Sequence, residues 1–246
     1  MSDQQPTISV IDPISPAIER VREILFRPFD LGKWFVIGFC AWLAYLGRGG
    51  GFNLRLPSGR HHGGPQADEL LHHTKEFLAD NLHWIIPVAI VVTVLMITIG
   101  LVIAWLSSRG HFMFLHCVAL NKGEVKTPWR KFKRQGNSLF LFRVVLGLIS
   151  FTFFALFAGL MVLIGVLFLA AHAQPRALAI ILLVFLSLTI VIPAAIVFAL
   201  IKKFTLDFVV PVMSLRTTTC TAAWREVLTI LSANKARFFL YILFQI

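Results

Sequence analysis

Two groups of residues have types and spacing that could do chemistry. His61, His62, His72 and His73 lie near Asp68, Glu69 and Glu76. On a helix Glu69 and His73, or His72 and Glu76, would share a face one turn apart, and a face of imidazole and carboxylate can bind zinc. The flank GRGGGFNLRLPSGRHHGGP has the composition of a flexible connector, so a solvated polar loop is the competing reading. The second group is Asp207, in the mostly apolar stretch KKFTLDFVVPVM, and Arg143, which precedes a 28-residue uncharged run. An aspartate within lipid costs about 2.5–3.5 kcal/mol and needs a cation or a proton, and Arg143 or Lys203 could supply the cation as a polar membrane pair. The plainer alternative is an aspartate facing headgroups, because Lys202 and Lys203 beside it mark a water boundary.

Other chemistries lack their residues. The sequence has no Ser/His/Asp or Cys/His arrangement, no paired membrane carboxylates and no GxxxxGK[ST] phosphate loop. Cys40, Cys117 and Cys220 are scattered without CxxC or metal-ligand spacing, so free thiols are expected. No catalytic residue, resident metal or cofactor is expected, and the chain reads as something other than an enzyme.

These groups are positioned by a chain of unusual oiliness. Hydrophobic residues make up 57% of the 246 and charged ones only 14%, where a soluble domain carries about 25% charge. Lipid admits helices and closed barrels, and barrel strands alternate over ~10 residues, whereas these apolar runs are solid and longer. The fold class expected is all-α: a polytopic transmembrane helical bundle with interfacial amphipathic helices. Residues 1–30 read as a cytoplasmic N-terminus whose amphipathic helix sets Ile18, Val21 and Ile24 against Glu19, Arg20, Arg22 and Glu23. Asp30 is placed to cap the next helix. Residues 31–246 form the transmembrane domain, with spans at about 31–46, 84–105, 144–171 and 177–201, and the start of a fifth at 238–246. The first is short for a ~30 Å hydrocarbon core, and Pro193 is expected to kink the fourth. The Gly/His-rich loop 47–83 is the exported one. The run at 238–246 is about half a crossing, which suggests a fragment of a longer protein.

The net charge of +11 would point to nucleic acid in a soluble protein. Here eighteen Lys and Arg fall in 1–33, 108–143 and 202–237, against five in 47–83 and 172–176. That bias alternates correctly with four spans and places the N-terminus in the cytoplasm. Arg130, Lys131, Lys133 and Arg134 make a basic lipid-facing patch suited to anionic headgroups. The expected partners are thus the lipid bilayer and its anionic headgroups, with membrane-protein partners unknown and no nucleic acid.

Two segments align without gaps at an offset of 95: HFMFLHCVALNKGEVKTPWR from His111 and LDFVVPVMSLRTTTCTAAWR from Leu206. Each has an apolar stretch, a polar break, a helix opening with Trp-Arg and then a span, and the N-terminal helix with the first span looks like a third copy. Parallel internal repeats follow if the likeness is a duplication; the alternative is that surface helices before spans resemble one another by anchoring physics alone.

The motifs WRKFKRQGNSLFLFR (129–143), DFVVPVM (207–213) and RPFDLGKWF (27–35) resemble a family of bacterial multi-spanning inner-membrane proteins without established function. That family is distantly similar to the membrane domains attached to some glycerophosphodiester phosphodiesterases. The resemblance covers most of the chain outside 47–83 and implies no activity, since the phosphodiesterase catalytic domain has no counterpart here. Three functional classes follow, in order: an accessory or scaffolding membrane protein; a transporter or channel for small solutes or lipid, built from repeats around Asp207, Arg143 and Pro193; and a lipid-modifying enzyme.

Overall fold

The computed structural model describes residues 14–26, 29–46, 65–170 and 176–244, with the side chains of 14, 25, 65–80, 169–170, 176–180, 182–183, 237 and 244 outside that description. All of its regular structure is helical: α1 (Ile14–Phe26), α2 (Leu31–Tyr45), α3 (Pro65–Leu120), α4 (Lys126–Lys131), α5 (Lys133–Ala170), α6 (Arg176–Phe204), a π-helical turn (Thr205–Val209), α7 (Val210–Arg216), α8 (Cys220–Ala233) and α9 (Lys235–Phe244). Asp30 caps α2 as its position foretells, Oδ1 accepting from the Gly32 N–H at 2.9 Å and the Lys33 N–H at 3.3 Å.

Among the described residues, three helical segments are long and apolar enough to cross a membrane: Asn81–Leu120, Lys133–Phe168 and Val184–Arg216. At 1.5 Å per residue they run roughly 50–60 Å, about twice a ~30 Å hydrocarbon core. Their most apolar 18-residue windows contain no buried residue. The buried residues gather where the helices project past those windows. One cluster joins Ile24 of α1, Ile37, Cys40 and Leu43 of α2, and Met113 and Cys117 of α3. The other joins Phe112, Phe132, Leu139, Val209, Val210, Met213, Cys220, Ala223 and Val227. The last third of α3 stands between them, with Met113 turned to one and Phe112 to the other. This is the inverse of a soluble bundle: the buried core lies at one end, while most of the middle of each long helix is left for another solvent.

Two of the expected spans fall within longer helices. The 84–105 span is one part of a 56-residue helix that takes in both the expected surface helix and residues 106–120. The expected span ends at Trp105, placed at the headgroup level, but the edge of lipid ends a span and not a helix, and no proline lies between Pro87 and Pro128. Likewise α5 starts at Lys133, eleven residues before its uncharged run. Helix α2 coincides with the expected short first span, and it runs antiparallel to residues 107–123. A Cβ on Gly110 would meet Ala44 N at 2.6 Å, and one on Gly123 would meet Lys33 Cα at 3.0 Å. Gly110 thus lets the two backbones touch, and Ser107 Oγ donates to the Ala44 carbonyl at 2.7 Å. The Sγ atoms of Cys40 and Cys117 lie 4.0 Å apart in the same seam, and both are free thiols, as is Cys220.

The helix of α6 continues through Pro193. It widens to a π-turn at Thr205–Val209. Pro211 has no N–H to give to the carbonyl four residues back, which is that of Asp207, and its ring crowds that carbonyl. Within the turn the Val210 N–H reaches the Thr205 carbonyl. The two aligned segments share an order of parts. In each, a helix ends near a residue of positive φ (Asn121 at 54°, Thr217 at 53°). A short helix follows (α4, α8), then a one-residue break at Phe132 or Asn234 and the next apolar helix (α5, α9).

Candidate functional site

Arg143, Lys202, Lys203 and Asp207 line one cleft of about 890 Å³ between α3, α5, α6 and the π-turn. The apolar part of its lining includes Leu101, Ala104, Phe142, Gly147, Leu148 and Leu206. Arg143 reaches across to α3, donating from Nη1 to Ser107 Oγ (3.3 Å) and Ser108 Oγ (3.2 Å), both on buried serines. Asp207 Oδ2 accepts from the Tyr241 hydroxyl at 3.2 Å, which ties α9 to the π-turn. The two residues singled out as a candidate polar pair therefore share a site, with two further cations, Lys202 and Lys203. The π-turn aims Asp207 at this cleft: an extra residue in the turn rotates the side chains after it relative to an ideal helix.

A second polar cluster lies beside the seam and was not foreseen. Arg109, 7% exposed, has its guanidinium carbon 4.3 Å from the Trp105 ring centroid and 4.9 Å from that of Trp129. Asn137 Oδ1 accepts from Arg109 Nη2 at 3.0 Å and from Trp105 Nε1 at 3.2 Å. A Cβ on Gly136 would come within 2.7 Å of Arg109 Cγ. A buried cation held between two indoles and one amide oxygen is compensated without a carboxylate, with about 2 kcal/mol or more from cation–π attraction at a desolvated site. The sequence signal was there: Trp105 and Arg109 are one turn apart on one helix.

The basic patch of Arg130, Lys131, Lys133 and Arg134 is exposed and wraps the break between α4 and α5, where the ring of buried Phe132 lies 5.4 Å from Lys131 Nζ. Behind it Ser138 Oγ accepts from the Cys220 N–H at 3.0 Å, capping α8 from a neighbouring helix. Burial pushes the Cys220 thiol up to about 12. His72, His73, Glu69 and Glu76 belong to the continuous helix α3, so the i,i+4 register exists in the backbone. Their side chains, and His61 and His62 altogether, lie outside the described residues.

A helical fold whose three longest apolar segments are uncovered, with its packed core displaced to a charged end, defines an α-helical membrane protein. Within that class, the chain belongs to a family of unknown function, DUF7544, whose model matches residues 8–246. No curated protein and no solved structure matches it.

Proposed function

We propose that this is a multi-pass protein of the bacterial inner membrane with an accessory or scaffolding role, non-enzymatic, presenting a folded basic head at the cytoplasmic face. The observation that carries the reading is the position of the core: one buried cluster joins the lysine- and arginine-rich stretches 108–143 and 202–237, and the other joins Ile24 and the apolar helix α2 to 108–143, both at one end of the molecule. The positive-inside rule assigns that end to the cytoplasm, together with the N-terminus. In this reading α3, α5 and α6 cross the membrane, α1 lies on its surface, and α2 makes a fourth, short crossing. Its 15 residues cover roughly 22 Å, so the bilayer is drawn toward the basic end on that side. Parity supports this, since the Gly-rich segment 47–64 then lies opposite α4. Labelling a Ser58→Cys variant with a membrane-impermeant maleimide tests it: modification from the outer face is expected, and protection until the membrane is opened would remove the α2 crossing.

Transport of a small solute or lipid is the second reading, favoured by one observation. A π-turn sets a carboxylate on a cleft that also holds Arg143, and breaks in membrane helices with intramembrane charge mark substrate paths. Flux measured in reconstituted vesicles separates the two: no flux from wild type or Asp207→Asn is the scaffold's outcome, and wild-type flux abolished by Asp207→Asn is the transporter's.

A further inference from the structure

The cleft has a chemical asymmetry that the scaffold reading does not use. Leu101 and Leu148 on its lining are 43% and 60% exposed and continue into the uncovered apolar windows of α3 and α5. Arg143, Lys202 and Lys203 bring three positive charges to the same cleft, against the single carboxylate of Asp207. One side chain of these is already organised: Arg143 is steadied by the hydroxyls of Ser107 and Ser108, so much of its conformational freedom is spent before any ligand arrives. The carboxylate is engaged by the Tyr241 hydroxyl, which moderates its repulsion of an anion. A molecule that satisfies this lining carries a phosphate at one end and a hydrocarbon chain at the other.

We propose that the cleft binds an anionic phospholipid, its phosphate held by Arg143, Lys202 and Lys203 and one acyl chain lying along Leu101 and Leu148. The size is apt, since pockets of 300–1,000 Å³ enclose a drug-sized ligand, and about 890 Å³ takes a headgroup and the upper part of a chain while the rest remains in the bilayer. Gly147 lines the cleft, and nothing lies within 4 Å of where its Cβ would be. A side chain there would occupy the space assigned to the lipid. The inference rests on the membrane reading but not on the scaffold role: alkaline carbonate extraction reports insertion separately, and flux reports transport separately.

The test is native mass spectrometry of the full chain released from detergent after incubation with phosphatidylglycerol or with phosphatidylcholine. Wild type is expected to retain phosphatidylglycerol in preference. Lys202→Gln with Lys203→Gln should weaken retention roughly thirtyfold, about fivefold for each cation. Lys131→Gln with Lys133→Gln, in the exposed patch outside the cleft, should change it less than threefold. Gly147→Leu, which leaves every charge in place and improves helix propensity, should abolish retention by occupancy alone, and it decides the matter if the lysine pair fails to fold. Asp207→Asn should tighten retention. Equal loss from both lysine pairs, or unchanged retention in Gly147→Leu, would overturn the proposal. So would displacement of the lipid by equimolar inorganic phosphate, which would identify a soluble-anion site.

Discussion

Replacing Gly110 by alanine tests the seam on which the first buried cluster depends. The added Cβ would stand 2.6 Å from Ala44 N, 2.7 Å from Leu43 C and 2.9 Å from Leu43 O, all backbone atoms of α2 that cannot rotate aside. Ordinary contact lies near 3.5 Å, so α2 must retreat by roughly 1 Å. Overpacking of this kind costs about 1–3 kcal/mol. Retreat also stretches the 2.7 Å bond from Ser107 Oγ to the Ala44 carbonyl, worth about 0.5–1.5 kcal/mol net. Against this, alanine gains about 1 kcal/mol of helix propensity over glycine. The balance is a loss of about 2 kcal/mol. Gly100 is the matched control, since it lies in the same helix with nothing within 4 Å of its Cβ position; Gly100→Ala should keep the propensity gain alone. At about 2–4 °C per kcal/mol for a chain of this size, the two variants should melt roughly 6–12 °C apart, followed by tryptophan fluorescence in detergent. If Gly110→Ala melts as high as Gly100→Ala, the close approach of α2 and α3 is wrong.

Three further outcomes follow. Arg109→Lys should cost about 2 kcal/mol in the same assay, because an ammonium cannot stack between Trp105 and Trp129 while donating to Asn137; a neutral effect would show that the indoles do not hold the guanidinium. Thr217→Asn should stabilise by about 1 kcal/mol, since a β-branched residue at φ 53° is strained and asparagine tolerates that region; a lower melting temperature would contradict it. Cys220, with its thiol pushed up to about 12, should react with iodoacetamide at pH 8.5 about a thousandfold more slowly than in the unfolded chain, each unit of pKa counting tenfold in thiolate. Comparable rates before and after unfolding would place that thiol in water.

What could be read from the chain was set by local physics. The solid apolar runs gave the helical membrane class, and Asp30 gave its cap. The π-turn is not legible in DFVVPVM: Pro211 removes the N–H that would reach the Asp207 carbonyl, yet Pro87 and Pro193 remove theirs within helices that stay α-helical. Other features depend on separations that no local pattern carries. Tyr241 meets Asp207 from 34 positions away, and Asn137 joins Trp105 and Arg109 from 32 and 28. Arg109 was counted among the cations of a cytoplasmic loop, since hydropathy registers its charge and not the two indoles that enclose it. Hydropathy locates where lipid ends and not where a helix ends, so α3 and α5 run past the expected spans, and it says nothing of which backbones approach, which Gly110 and Gly123 determine for α2 and α3.

The central claim is that lipid solvates the uncovered middles of α3, α5 and α6, where Phe153 and Phe154 meet Phe198, while the buried core of the protein lies at the basic end. Nitroxide labels at Val94, Phe151 and Ile192, each exposed and within those middles, can be compared with one at Lys131 by power-saturation EPR of the reconstituted protein. The account predicts relaxation of the first three by oxygen and not by a water-soluble nickel chelate, with the reverse at Lys131. Chelate access at all four sites would contradict it.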